Sequence, residues 1–370
     1  MQQMKIINKY TVIIILWVLT FSYLGCKKDS VHFDYLRPSK GDTTTLIGLA
    51  GTERGDSAAN SVFIDLSKEV QTDVARSSWD LGFYCGTDDF RVIINNSYGA
   101  TAVGVDKGMA AVTAADSSAN EPALTLNKTT GTASTVDLVT GDSTTYIKGT
   151  VIESISANDA SNKTYIIKRG NDSRAFNTKL QLRAILVRIT RATNGYNVTY
   201  GPLGVSSFST VLINKDASYN FKYLSFNSAT ATVEPSKLLW DFEYGATTYT
   251  NGTNPVFRSD FVMINFMGGV KAAQIMTATK SFADFAKADL ANVTWLGTRD
   301  VIGTNWFNVK ASDASAAPGG SLPVYSDRFY VIKDAKGNVY KLSFAGGGGR
   351  GKPIIQYVNL IDNEPKNAGE

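Results

Sequence analysis

The sequence holds one histidine, His32, and two cysteines, Cys26 and Cys85, in 370 residues. That inventory excludes a histidine-rich zinc site, a histidine-based catalytic triad and a disulfide framework. Charge is scarce too: Asp, Glu, Lys and Arg make up 19% of the chain, below the roughly 25% of an average soluble protein. The net charge is only +4 and Lys and Arg never run longer than a pair. The electrostatic footprint of a nucleic-acid binder is therefore missing, and nucleic acid is set aside as a partner. There is no Gly-x-Ser-x-Gly elbow and no Asp-x-Asp-x-Asp-Gly calcium loop. The run Gly346 to Lys352 has the glycine and lysine spacing of a phosphate-binding loop, but Pro353 stands where Ser or Thr would bind magnesium. Ile354-Ile355-Gln356-Tyr357, just beyond it, reads as a strand and not as the required helix, so the run is a hairpin loop. No feature points to an enzyme.

What is present is apolar and aromatic: 43% hydrophobic residues and 11% Phe, Trp and Tyr, a composition that folds. At the N-terminus Lys5 and Lys9 precede an apolar run from Thr11 to Leu24, which ends at Leu24-Gly25-Cys26. A charged region, an apolar region and a small residue before cysteine form a secretory signal over residues 1–25, of the bacterial lipoprotein kind, with Cys26 as the lipidated first residue. No later run is long enough to span a bilayer, so the lipid is the expected anchor, and the outer membrane, on its periplasmic or cell-surface side, is the expected location. Residues 26–58, rich in Gly, Thr, Asp and Ser, read as a tether that carries His32.

Beyond the tether the pattern is all-β. Trp79, Leu81, Phe83 and Cys85 alternate with polar or small residues, as do Trp240, Phe242 and Tyr244, each marking a half-buried strand. Similar runs start near Thr164, Leu180, Tyr196, Tyr219, Phe261, Phe329, Val339 and Ile354, with hairpin turns at Asn194-Gly195 and Lys336-Gly337-Asn338. Ser281 and Asp284 form a capping box ahead of Phe285 and Leu290, which predicts one short helix there. The halves also echo one another. Ser78-Trp79-Asp80-Leu81-Gly82-Phe83 matches Leu239-Trp240-Asp241-Phe242-Glu243-Tyr244, Ile94-Asn95 matches Ile264-Asn265, and Tyr165-Ile166-Ile167-Lys168 matches Tyr330-Val331-Ile332-Lys333. The Trp-to-Tyr separations are 86 and 90 residues. Two tandem related β units are expected, 59–204 and 205–370, with the helix in the second.

The Trp-Asp strand followed by Arg91-Val92-Ile93-Ile94-Asn95, and the closing run from Arg328-Phe329-Tyr330-Val331 to Tyr340-Lys341-Leu342-Ser343-Phe344, resemble the HmuY family of heme-binding bacterial lipoproteins. The resemblance implies an all-β, lipid-anchored, non-catalytic protein that captures heme or a porphyrin for iron acquisition and hands it to an outer-membrane receptor. It also implies ligand loops at Thr277 to Trp306 and Ala311 to Tyr325, yet neither contains the His or Met that would grip iron. Other ligands would then be needed. Met267, beside Gly268-Gly269, Met276, and Met109 as the first-half counterpart of Met276, are the candidate thioether ligands, since Val103 to Met109 repeats the spacing of Val270 to Met276. Core packing is the competing role for each. Tyr249 and Tyr325 lie in loop-like contexts and are a further source of ligands. The alternative function is a surface lipoprotein that keeps the scaffold but binds another ligand or a partner protein.

Overall fold

A computed structural model describes residues 37–47, 59–87, 89–126, 131–138, 141–170, 184–250, 254–308, 323–345 and 352–363. The signal segment and Cys26 lie outside the described residues, as do most of the second implied ligand loop and the glycine run. Strands dominate: β1 Gly41–Thr45, β2 Asn60–Asp65, β3 Val70–Ala75, β4 Leu81–Tyr84, β5 Val92–Ile94, β6 Thr101–Val105, β7 Thr164–Lys168, β8 Ile185–Ala192 and β9 Gly195–Pro202. The rest are β10 Ser209–Asn214, β11 Phe221–Leu224, β12 Phe242–Thr250, β13 Pro255–Ile264, β14 Lys271–Met276, β15 Arg328–Lys333, β16 Val339–Ala345 and β17 Ile354–Ile361.

They build four sheets, ordered β1-β17-β16-β15-β14, β10-β9-β8-β7-β6, β13-β12-β2-β3 and β11-β4-β5. The fold is all-β. The two five-stranded sheets each cover one smaller sheet, and the two smaller sheets meet. One core joins Val62, Ile64, Phe242 and Val262 to Tyr330, Leu342 and Ile355. A second joins Leu81, Phe83, Val92 and Leu224 to Tyr165, Val187 and Val198. Between the smaller sheets a third, aromatic core holds Phe63, Trp79, Tyr146, Phe221, Tyr223 and Trp240. Successive residues of β2, Val62 and Phe63, thus enter different cores, because side chains alternate across a strand. A strand covered on both faces reads as a continuous apolar run, as Val62-Phe63-Ile64 does. Trp79 and Trp240 are both buried, each 8% exposed.

Three sequence expectations change. The supposed tether contains β1, which pairs along its length with β17; as an edge strand it keeps most of its Thr and Asp side chains toward water, so the apolar alternation that marks a strand is absent. The expected helix near Ser281 is a turn. One capping bond forms, with Asp284 N donating to Ser281 Oγ at 3.1 Å, and the Ser281 hydroxyl donates to the Asp284 carboxylate at 2.6 Å, but the chain makes only a turn there, followed by a 3₁₀ turn over Lys287–Asn292 that starts from Ala286. The α-helices among the described residues are α1 Ala114–Asn120 and α2 Ser143–Tyr146 in the first half, both opened by side-chain caps from Thr113 and Asp142. Third, the boundary near residue 205 does not separate two bodies. β10 and β11 pair with β9 and β4 of the first half, β1 and β2 pair with β17 and β12 of the second, and the chain from Arg37 onward forms one compact unit.

Candidate functional site

Two places gather chemistry. The first is the junction of the smaller sheets. Trp79 meets Tyr223 edge-on at 5.0 Å, Trp240 meets Phe63 in the same way at 5.0 Å, and Tyr146 packs on Phe266 at 5.7 Å. Carboxylates are buried among these rings. Glu234 accepts the Phe221 N–H at 2.6 Å, and its burial pushes the carboxyl up to about 8. Asp137 accepts the N–H groups of Ile94 and Val151, each at 2.8 Å, and burial pushes it to about 7. Burial also raises Glu243, against the opposing charge of Arg299, whose guanidinium lies 3.9 Å from it and stacks on Tyr146 at 4.8 Å. Desolvation disfavours the ionised form in each case.

Trp240 Nε1 and Arg299 Nη1 have no hydrogen-bond partner among the described residues. The open space beside them amounts to about 30 Å³ and about 40 Å³ in two adjoining pockets, enough for a few water molecules. A drug-sized or porphyrin ligand needs roughly 300 Å³ or more. This junction is a polar seam inside a core, too small for heme.

The second place is the margin where β14 and β15 end. Met276, half-buried, stands opposite Arg328 in the ladder. The Arg328 guanidinium lies over the Tyr325 ring at 4.3 Å and pairs with Asp327 at 2.7 Å. Gln274 Nε2 approaches the Met276 sulfur at 3.4 Å. Beside this margin the turn at 282–285 is held down from below. Lys341 Nζ donates to the carbonyls of Phe282, Ala283 and Phe285 at 2.5, 3.2 and 2.9 Å, while Phe282 and Phe285 both pack edge-on against Phe329 at 5.4 Å. The implied first ligand loop therefore starts from a fixed base. A thioether, a phenol and a guanidinium come together at its edge, a soft donor, a hard donor and an anion partner.

The three candidate methionines do not converge. Met276 is at this margin. Met267 lies in a 3₁₀ turn, half-buried against the aromatic core and lining the 40 Å³ pocket. Met109 is 8% exposed and packs on Val112, Leu124, Ile166 and Leu186, so its sulfur fills a core. The matching spacing that linked Met109 to Met276 does not survive in the ladders. Val103 sits inside β6 opposite Ile166, whereas Val270 precedes β14. Arg328 is a neighbour of Met276 through the pairing of β14 with β15, and Tyr325 lies under the Arg328 guanidinium; β14, Lys-Ala-Ala-Gln-Ile-Met, lacks the run of branched residues that announces a strand.

Among the described residues no group of three or more His, Cys, Asp or Glu is placed to hold a metal ion, and no helix is long and apolar enough to cross a membrane. A family profile described as HmuY protein matches residues 57–357. The chain belongs to the HmuY family. That match spans both halves and includes the β14–β15 margin and the aromatic junction. Among curated proteins and among solved structures nothing matches significantly.

Proposed function

We propose that this HmuY-family chain binds heme or a porphyrin without catalysis, as a protein anchored to the outer membrane through lipid on Cys26, and passes the ligand to a membrane receptor. The observation that carries the reading is the family match over 57–357. The β14–β15 margin supports it with residues of the right chemistry. Met276 offers a thioether, a recognised axial ligand for heme iron, Tyr325 offers a phenolic oxygen, and Arg328 suits a propionate. Bound heme would supply an iron with open axial positions; the protein's part is to hold it.

The test is an absorbance titration with hemin, in air and again under reductant, on the parent chain and on Met276→Ala. A thioether favours ferrous iron because soft sulfur donates better to the more electron-rich ion. Binding is expected to tighten on reduction, and Met276→Ala is expected to shift the Soret maximum. A Soret band unchanged in Met276→Ala removes Met276 from the iron, and a band weakened by reduction assigns the ligand to a tyrosinate such as Tyr325. Anchoring is tested separately: Cys26→Ser should move the protein from the membrane fraction to the soluble one.

A second reading, a scaffold that has kept the fold and changed its ligand or now binds a partner protein, is favoured by one observation. Between Thr277 and Trp306 there is no His or Met. It predicts a flat hemin titration by a folded protein.

A further inference from the structure

The places of β1, β2, β10 and β11 in the sheets carry more than a corrected boundary. Asp80 N donates to Leu224 O at 2.8 Å and the Asp80 carboxylate accepts Phe226 N at 2.7 Å. In the other half Asp241 N donates to Ile64 O at 2.6 Å and the Asp241 carboxylate accepts Leu66 N at 2.7 Å. Trp79 meets Tyr223 of β11 at the same 5.0 Å at which Trp240 meets Phe63 of β2. Asn95 Nδ2 donates to the carbonyls of Arg76 and Trp79, both at 2.7 Å, and Asn265 Nδ2 to those of Lys237 and Trp240, at 2.8 and 2.9 Å. Each asparagine then caps a 3₁₀ turn closed by a left-handed glycine, Gly99 with φ 74° and Gly269 with φ 101°.

The outer sheets agree. Tyr165 faces Val187, Val187 faces Tyr200, and Tyr200 faces Ser209. Tyr330 faces Leu342, Leu342 faces Tyr357, and Tyr357 faces Asp42. By every one of these contacts β10 and β11 do for the first half what β1 and β2 do for the second.

Along the chain, however, β1 and β2 come before Trp79 just as β10 and β11 come before Trp240. We infer that the chain is two copies of one strand order that have traded their opening pair of strands. The first copy's β1 and β2 complete the sheets of the second, and the second copy's β10 and β11 complete the sheets of the first. Exchange of an identical element conserves every contact of the closed unit and adds the interface between the two. Here that interface is the aromatic junction, to which the traded strands themselves contribute Phe63, Phe221 and Tyr223.

Cysteine pairs in the full-length chain, in a Cys26→Ser background, test the trade. Thr43 lies directly opposite Gln356, and Thr210 opposite Thr199 with the two hydroxyls 3.1 Å apart. Directly opposed residues of an antiparallel pair have Cβ atoms about 4.5–5.5 Å apart, and a small strand adjustment brings them to the roughly 3.5–4.5 Å of a disulfide. A protease site engineered between Leu203 and Ser207 separates the copies covalently. After mild oxidation and cleavage, Thr43→Cys with Gln356→Cys, and independently Thr199→Cys with Thr210→Cys, should each hold the two fragments together on a non-reducing denaturing gel. Untraded copies would instead join Thr43 to Thr199 and Thr210 to Gln356, pairs that lie within one fragment. Formation of either of those disulfides in chains that carry Thr43→Cys with Thr199→Cys, or Thr210→Cys with Gln356→Cys, read by mass spectrometry of peptides, overturns the inference, as does failure of both predicted pairs to link the fragments.

Discussion

Glu234 is 5% exposed, and backbone N–H groups and the Asn220 amide satisfy its carboxyl. In the fold it keeps its proton up to about pH 8, against 4.5 for an ordinary glutamate. The folded state therefore binds more protons than the unfolded state between those values. Its contribution is fully present below about pH 4.5 and disappears as the pH rises through about 8; Asp137 adds the same trend up to about 7. Urea unfolding at pH 5 and at pH 9 should show the protein more stable at pH 5, and Glu234→Gln should flatten the difference. Asp80 is 4% exposed and held by Arg169 through two hydrogen bonds at 2.5 and 2.8 Å. Removing one member of a buried pair leaves the other charge uncompensated, at a cost of about 3–5 kcal/mol. Arg169→Ala should lower the unfolding free energy by that amount. At the matching place in the other half Asp241 has Asp65 and Asp334 for neighbours, and burial together with their charge raises its carboxyl well above the usual range.

At the scale of elements, buried polar side chains tie loops to neighbouring strands. Asn265 accepts Gly268 N and donates to two carbonyls from a position 1% exposed. Asn265→Ala orphans buried carbonyls, each costing about 1–3 kcal/mol, and should lower the denaturation midpoint by a correspondingly large step; chemical denaturation measures it. Lys341, 7% exposed, is the corresponding tie for the 282–285 turn. Lys341→Met should leave the fold intact and increase hydrogen exchange at 282–290, because three carbonyls lose their donor. The elements easiest to read in the sequence are those with one buried face and a clear turn, such as β8 and β9 around Asn194-Gly195 or β15 and β16 around Lys336-Gly337. β1 and β14 escape because they are edge strands of their sheets, with polar or small residues where a central strand shows branched ones. The Ser281 side chain accepts Asp284 N as its sequence implies, but the residues beyond it, Phe282 to Phe285, are drawn onto Phe329 and Lys341, and that packing overrides the helix.

For the whole molecule, four sheets enclose three large cores, with two smaller apolar clusters beside them, and strands from each half complete the other's sheets. Thermal unfolding should be a single transition with coincident fluorescence and circular dichroism, not two steps at a boundary near residue 205. The family is legible in the sequence because its Trp-Asp and Arg-Phe-Tyr-Val-Ile-Lys runs are strand cores fixed by packing. The ligand margin is legible only in part: Met276 stands out as a residue type, while Arg328 joins it through strand register, which no local pattern encodes, and brings Tyr325 beneath its guanidinium. The measurement that bears most directly on heme capture is native mass spectrometry of the chain mixed with hemin and, in parallel, with iron-free protoporphyrin. A one-to-one hemin adduct is expected, surviving gentle activation and depleted in Arg328→Ala with Met276→Ala. A folded chain that shows no adduct with either compound contradicts heme or porphyrin binding.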